Sequence, residues 1–220
     1  MASYFNLTLD TTAPSGLTLQ INDGALYATS TAVKLTIGVS DEQTTGYQMK
    51  IWGIDGVAEE ESASWETFAT SKSVNLTSGD GLKTVHIKVR DDVGNESAEV
   101  TDDITLNTTA PVVTVTGPDK SKISKIAGFN QSVINFTSDV EFDEYKVCVV
   151  PANSSEQDAG TLIPTTGGSI NTSGNEGNYP ATTNIQVTIN GTDLESASTG
   201  DGVKIVKVFV KTAAGIWSVA

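Results

Sequence analysis

The sequence predicts an all-β protein of two tandem immunoglobulin-like β-sandwich domains. Three observations favour this fold class: a repeat with the period of one domain, short runs of alternating apolar residues, and turn-forming residues between those runs. A chain of 220 residues is long enough for two hydrophobic cores of ordinary size. The two predicted domains are called module one and module two below.

The repeat is clearest in two segments of nearly identical sequence. Leu7-Thr-Leu-Asp-Thr-Thr-Ala-Pro14 returns as Ile104-Thr-Leu-Asn-Thr-Thr-Ala-Pro111, an offset of 97 residues (111 minus 14). That period matches one sandwich domain. Because proline favours extended structure in the residue before it, the segment predicts a stiff link between domains. The predicted boundaries are an N-terminal arm at 1–13, module one at 14–107 and module two at 108–220.

A second pair of segments has a larger offset. Ser78-Gly-Asp-Gly-Leu-Lys83 returns as Thr199-Gly-Asp-Gly-Val-Lys204, 121 residues later, whereas Tyr47 and Tyr145 are 98 residues apart. Module two therefore carries 23 extra residues (121 minus 98) after its tyrosine, and we expect them in a loop insertion at about 151–183. A loop of this length is either functional or merely mobile, and the sequence favours neither.

Alternation of apolar and polar residues predicts the strands, with one face in the core and the other in solvent. A short helical turn is predicted at Thr192–Ala197. The predicted strands are Val33–Val39, Gly46–Trp52, Ser73–Thr77, Val85–Arg90, Val100–Leu106, Val112–Thr116, Val133–Thr137, Tyr145–Val150, Ile185–Ile189 and Lys204–Lys211. The core is expected to include Val33, Leu35, Ile37, Val85, Ile87, Val89, Cys148, Ile205, Val208 and Val210. Two adjacent apolar pairs leave the inward register of the last strand ambiguous.

Composition argues against several partners. The chain has 13 Lys and Arg against 27 Asp and Glu, a formal net charge of −14, which repels nucleic acid and anionic membrane surfaces. No apolar run approaches the roughly 20 residues that span a bilayer. The first residues lack the basic and apolar stretches of a secretory signal, so synthesis in the cytosol without export is expected. Cys148 is the single cysteine, so no disulfide forms within the chain.

No catalytic or cofactor site is predicted from the reactive residues. His86 is the only histidine and lies on the solvent side of an alternating strand. General-base chemistry needs a positioned group in a cleft, and Cys148 with His86 falls short of a zinc ligand set. At least two of the three tryptophans, Trp52, Trp65 and Trp217, are expected to be buried. The acidic run Glu59–Glu61 is interpreted as a solvated loop.

Calcium is the one cofactor that the sequence leaves open. Asp91-Asp92-Val-Gly-Asn95 has the oxygen-rich character of calcium-binding turns, and Asp102-Asp103 lies near the link between modules. The alternative interpretation is a hairpin turn with solvated carboxylates. That alternative is favoured because the equivalent turn of module two, Thr212-Ala-Ala-Gly-Ile216, has no carboxylate.

The segment Ser78–Ser97, followed by Ile104–Pro111, resembles the bacterial Ig-like repeats of surface-layer proteins, adhesins and tailed-phage virion proteins. In module two the motif is degraded to Lys211–Ser218. The start of the chain, Met1–Pro14, is similar to small virion proteins of tailed phages. The resemblance implies a non-enzymatic virion structural protein: a capsid decoration, head fibre or tail-associated protein, with other virion proteins or copies of itself as partners. The alternative is a carbohydrate-binding or adhesive module of a bacterial surface protein that binds host-surface glycans, for which an export signal would be expected.

The ends of the repeat predict an interaction site. Module two ends directly after its hairpin, so it is expected to lack the strand that closes module one at Ile104–Leu106, and to expose the edge of its last strand. The arm matches the missing strand, and an arm of about nine residues reaches only about 30 Å. We therefore expect the arm of a neighbouring copy, or another virion protein, to add a strand there. The alternative is that Lys207, Lys211 and a short C-terminal return protect the edge while the arm docks on module one. The predicted interaction residues are Phe5, Leu7 and Leu9 on the arm and Lys204, Val206, Val208 and Val210 on the edge.

Overall fold

The computed structural model describes residues 5–41, 44–151, 153–154, 159–164 and 177–219. The chain divides into two compact units, Met1–Thr108 and Thr109–Ala220, each with two β-sheets and a core of its own. The predicted fold class, two tandem immunoglobulin-like β-sandwiches, is confirmed. No helix within the described residues has both the length and the apolar character needed to cross a membrane.

Module one contains a three-stranded and a five-stranded sheet, ordered β1-β3-β6 and β2-β8-β7-β4-β5. Strand β2 lies parallel to β8, and the other paired strands are antiparallel. Short 3-10 turns occupy Asn22–Gly24 and Glu60–Ser62. The strands are β1 (Thr18–Ile21), β2 (Tyr27–Ala28), β3 (Ala32–Gly38), β4 (Gln48–Trp52), β5 (Glu66–Thr67), β6 (Ser71–Asn75), β7 (Gly81–Arg90) and β8 (Val100–Leu106).

The core of module one follows the predicted alternation. The inward residues of β3 and β7 that the sequence assigns to the core are all buried, namely Val33, Leu35, Ile37, Val85, Ile87 and Val89. Strand β8 closes this core from one side, because Ile104 and Leu106 are each 1% exposed. The final strand of module one therefore contributes two of its best-buried side chains.

Module two contains two three-stranded sheets, ordered β13-β10-β9 and β12-β11-β14. The predicted helical turn at Thr192–Ala197 is confirmed as α1. Residues 152, 155–158 and 165–176 of the predicted insertion at 151–183 lie outside the described residues, and its described part includes β12. The elements are β9 (Val113–Thr116), β10 (Gln131–Ser138), β11 (Glu144–Val149), β12 (Thr161–Leu162), β13 (Ile185–Asn190), α1 (Gly191–Ala197) and β14 (Val206–Lys211).

The pairing of β14 with β11 resolves the ambiguous register of the last strand. Val208 lies opposite Val147 and Val210 opposite Tyr145, and all four are buried in the core of module two. The prediction for Val208 and Val210 is confirmed. The prediction for Ile205 is wrong, because the strand begins only at Val206 and the side chain of Ile205 is exposed.

Cys148 is buried, but not in the sandwich core where the sequence places it. It lies with Val150 and Phe209 in a separate apolar cluster. Leu162 of β12 and Trp217 pack against this cluster. The sheet that contains β11 is therefore apolar on both faces. Alternation within a strand predicts only one apolar face, so it does not detect the second.

Candidate interaction site

The two candidate turns, Asp91–Asn95 and Thr212–Ile216, have the same backbone geometry. The N–H of Asp91 donates to the carbonyl of Asn95 (3.2 Å), and the N–H of Thr212 donates to the carbonyl of Ile216 (3.0 Å). The hydroxyl of Thr212 accepts from the N–H of Ile216 (3.3 Å), where the carboxylate of Asp91 accepts from the N–H of Asn95 (2.8 Å). Asp91 therefore stabilises a turn that module two builds with an uncharged side chain.

Further hydrogen bonds occupy the carboxylate of Asp91. Its two oxygens also accept from the N–H of Val93 (3.0 Å) and the side-chain amide of Asn95 (2.8 Å). Burial raises the pKa of Asp91, but the hydrogen bonds from Asn95, Val93 and Gly94 outweigh it and hold the pKa below its usual range. The buried carboxylate is thus held in its charged form by its own turn.

The remaining calcium candidates have separate roles. Asp102 accepts from the backbone N–H of Ile21 (2.7 Å), Asp103 accepts from the hydroxyl of Thr84 (2.6 Å), and Asp92 is exposed. In the part of the chain that the structure describes, no group of three or more His, Cys, Asp or Glu side chains is placed to hold a metal ion. The structure does not bring the four carboxylates together.

The outer face of the five-stranded sheet carries His86. Its ring stacks on Trp52 with centroids 5.3 Å apart, and its Nδ1 lies 2.6 Å from a carboxylate oxygen of Glu99. Beside it, Glu60 accepts from Lys88 at 2.8 Å, a hydrogen bond that lowers the pKa of Glu60. The interpretation of Glu59–Glu61 as simply solvated is therefore wrong for Glu60.

Only one tryptophan is buried, so the prediction of at least two is wrong. Trp52 is buried, whereas Trp65 and Trp217 are half-buried. Both rings carry a cation on the surface of the protein, and Trp217 also packs against the apolar cluster that contains Cys148. The guanidinium of Arg90 lies 4.4 Å from the ring centre of Trp65, and the ammonium of Lys146 lies 4.4 Å from that of Trp217.

One flank of β14 has no strand paired with it among the described residues, although β9 of the other sheet lies near it. Strand β11 pairs with the other flank. At the far end of the open flank, the N–H of Ser218 donates to the carbonyl of Val210 (2.8 Å), and its hydroxyl accepts from the N–H of Val210 (3.1 Å). Backbone N–H and C=O groups point to alternate flanks at successive residues of a strand. The backbone groups of Val206 and Val208 therefore face the same flank as those of Val210. The short C-terminal return pairs with Val210, and among the described residues no strand pairs with Val206 or Val208 on this flank.

A groove of about 740 Å³ opens beside this flank, between the two sheets of module two. It continues into a second depression of about 490 Å³ that shares Val115, Val206 and Val208. The larger groove is lined by three lysines, Lys120, Lys122 and Lys204. Its apolar lining includes Val115, Ile134, Ile189, Leu194, Val206 and Val208. Three of the predicted edge residues, Lys204, Val206 and Val208, therefore line one groove.

The predicted arm residues are exposed. Phe5, Leu7 and Leu9 are 86%, 87% and 86% exposed, and they belong to no strand. The arm is hydrogen-bonded to module one at Asp10, whose carbonyl accepts from the side-chain amide of Asn95 (3.4 Å). Three large apolar side chains at alternate positions of the arm thus lie in solvent.

The sequence reasoning missed one structural pair. A carboxylate oxygen of Asp80 accepts from both the N–H (2.8 Å) and the hydroxyl (2.7 Å) of Thr108, just after β8. Both residues fall in repeated segments, and the matching positions are Asp201 and Thr11. The repetition of both partners was the signal that could have identified this pair.

No family model and no curated protein sequence matches the chain. Among solved structures, it is similar to the fibronectin(III)-like modules of CbhA from Clostridium thermocellum, with 11% identity over 91% of this chain and 89% of that chain, and a TM-score of 0.45. The chitinase ChiA74 from Bacillus thuringiensis matches with 13% identity over 92% of this chain and 30% of that chain, and a TM-score of 0.32. The D00-D0 domain of intimin matches with 16% identity over 92% of this chain and 96% of that chain, and a TM-score of 0.31.

Proposed function

We propose that this chain is a non-enzymatic structural protein of a tailed-phage virion that acts by protein–protein association and surface display. It would be a capsid decoration, a head fibre or a tail-associated protein. The observation that carries the proposal is the open flank of β14 beside an apolar groove, since unpaired strand edges are templates for association with another chain. The resemblance of residues 78–97 and 104–111 to Ig-like repeats supports the same assignment.

The reactive residues favour association over catalysis. His86 is stacked on Trp52 and paired with Glu99 on the outer face of a sheet, and the groove is lined by valine, leucine, isoleucine and lysine side chains. A glycan-binding face stacks exposed aromatic rings on sugars, and the rings of Trp65 and Trp217 each carry a cation instead. The first observation favours association over catalysis, and the second disfavours a glycan site built on these two tryptophans.

Proteomics of purified particles tests this function. We expect the chain in assembled virions at a fixed copy number, and labelling should place it on the capsid or the tail. Binding of the isolated chain to a glycan array, with no chain in particles, would contradict the proposal and support the adhesive alternative.

A further inference from the structure

Strand β8 of module one is a template for what the groove of module two accepts. It pairs antiparallel with β7, with Leu106 opposite Gly81, Ile104 opposite Lys83 and Asp102 opposite Val85. Its side chains at 104 and 106 fill the space between the sheets. A strand that fills the same place in module two needs apolar residues two apart.

Module two repeats the receiving half of this arrangement. The positions that match Gly81, Lys83 and Val85 are Gly202, Lys204 and Val206. The turn that precedes them is also the same, because Lys83 donates to the carbonyl of Ser78 (3.2 Å) and Lys204 donates to that of Thr199 (3.1 Å). Yet residues 202–205 form no strand, whereas 81–84 belong to β7. The receiving positions are present, and the strand that would pair with them is not among the described residues.

The arm repeats the donating half. At the offset of 97 residues, Leu7 matches Ile104, Leu9 matches Leu106, and Phe5 matches Asp102. In module one, the two matching apolar side chains are 1% exposed, whereas Leu7 and Leu9 are almost fully exposed. The arm therefore carries a core strand's sequence without a core around it.

We propose that residues 5–11 of one copy of this chain add as an antiparallel strand along residues 202–206 of a second copy, where the open flank of β14 begins. Leu9 pairs with Gly202, Leu7 with Lys204 and Phe5 with Val206, and their side chains enter the groove. This inference rests on the proposed function and names the partner at that site. Because the donating and receiving surfaces differ, the contact is head-to-tail and generates rings or chains.

A second pair of residues supports this register independently. The cap between Asp80 and Thr108 fixes the end of β8 in module one. Its counterparts are Asp201 and Thr11, and both are exposed. Within the described residues Asp201 has no hydrogen-bond partner. In the proposed complex, the carboxylate of Asp201 accepts from the N–H and hydroxyl of Thr11 of the second copy.

Charge favours the same partner. Lys120, Lys122 and Lys204 line the groove, although the chain has only 13 basic residues. The approaching copy has a net charge of −14, and its arm carries a single charged residue, Asp10, before Pro14. A basic groove wall lowers the repulsion between two acidic copies and accepts an apolar strand.

A disulfide trap tests the register. Full-length chains carrying Cys148→Ser are prepared with either Leu7→Cys or Lys204→Cys, mixed and oxidised with diamide. Paired residues lie close enough for a disulfide, so we expect a covalent dimer of twice the 23.0 kDa chain mass on non-reducing gels. The matched control is Thr8→Cys, whose side chain points to the opposite face and should give at least tenfold less product. Equal yields from both positions, or no dimer, would overturn the proposal.

Light scattering then measures assembly of the otherwise unmodified chain across a range of concentrations. We expect the mass to rise above 23.0 kDa with concentration, and the variant Leu7→Asp with Leu9→Asp to stay at 23.0 kDa. Thr8→Asp is the matched control and should assemble like the parent. Circular dichroism verifies that the variants fold. A double variant whose mass rises with concentration as the parent's does would overturn the proposal.

The two proposals fail separately. A chain that is present at fixed copy number in particles but neither cross-links nor assembles overturns the second-copy strand and leaves the virion role standing. A chain that cross-links in this register but is missing from particles overturns the virion role and leaves the second-copy strand standing.

Discussion

Strand β7 of module one runs ten residues, from Gly81 to Arg90, whereas β14 of module two runs six, from Val206 to Lys211. The two segments share their turn and their alternation, and β4 and β11 pair with their second halves in the same way. They differ in that β8 lies against the first half of β7. The first half of this strand is therefore held extended by its neighbour, and without that neighbour the same sequence pattern leaves residues 202–205 irregular.

This difference separates what a strand carries in its own sequence from what its partner supplies. Backbone groups in a sheet are satisfied across strands, so a segment with one free side becomes a strand only where the other side is paired. Module two keeps every receiving position and exposes an apolar groove. Its strand β14 pairs with β11 on one flank, and no described strand pairs with the other flank.

The largest effect is expected from a charge at the position that closes module one. Ile104→Asp places a carboxylate in a core site that is 1% exposed, at a cost on the order of 4 kcal/mol, a large fraction of the roughly 5–15 kcal/mol that stabilises a domain. Leu7→Asp makes the same change at the matching arm position and should alter stability by less than about 0.5 kcal/mol. Urea unfolding, followed at low protein concentration by tryptophan fluorescence, measures both.

Trp52 and Trp65 report on module one, and Trp217 reports on module two. An Ile104→Asp chain that unfolds like the parent would contradict the role of β8 as the closing strand. A large loss of stability from Leu7→Asp at these concentrations would mean that the arm packs within its own chain.

Local alternation was sufficient to predict most strands, because each buries one face against one core. Val100–Leu106 has the predicted bounds, and α1 adds one residue to the predicted turn. Ile205 was misplaced because it has the opposite parity to Val206, Val208 and Val210, whose side chains face the core or the groove, and alternation alone could not choose between the two adjacent apolar pairs. Cys148 was misplaced because Trp217 and Leu162, both distant in sequence, cover the outer face of its sheet.

A pair of valines measures the effect of the missing neighbour more directly. Val85 and Val206 occupy matching positions, but Val85 is fully buried and Val206 lines the groove. Val85→Ala should cost about 2 to 3 kcal/mol, and Val206→Ala less than about 1 kcal/mol, since its site is already open. Denaturant unfolding of the two variants gives both values. A cost at Val206 that equals or exceeds the cost at Val85 would show that module two is closed in solution.

The candidate site was predicted in part, and its missing part has a physical cause. The repeat identified the arm and the edge, since both are stretches of local sequence. The walls of the groove, including Ile134, Ile189 and Leu194, come from strands and a helix that only the folded chain brings together. The cap by Asp80 was overlooked because alternation within strands does not detect a hydrogen bond between two loops, and only the repetition of both partners along the chain marks it.

The two hairpins should respond differently to acid. Hydrogen bonds lower the pKa of Asp91 in the folded chain, so its contribution is present above its unfolded pKa of about 4 and is lost as the pH falls through the lower folded value. Asp91→Thr, which copies Thr212, should therefore make the unfolding midpoint of module one less sensitive to pH below about 4. Urea titrations at several pH values compare this variant with the parent. If the unfolding midpoint of Asp91→Thr depends on pH as the parent's does, the hydrogen bonds of Asp91 do not stabilise its charged form.

The smallest effect is expected from removing divalent ions, because the carboxylates that resemble calcium ligands already serve the fold. A calcium ion takes six to eight oxygen ligands. Both carboxylate oxygens of Asp91 accept hydrogen bonds within its own turn. One oxygen of Asp102 accepts from Ile21, and one oxygen of Asp103 accepts from Thr84. A ligand that does not bind the folded state cannot stabilise it, so a chelator should shift the melting temperature by no more than about two degrees. The hairpin of module two, which has no carboxylate, is the internal reference. A drop of several degrees confined to the transition of module one would mean that the hairpins differ in ion binding, and would direct mutation first to Asp91, Asp92, Asp102 and Asp103.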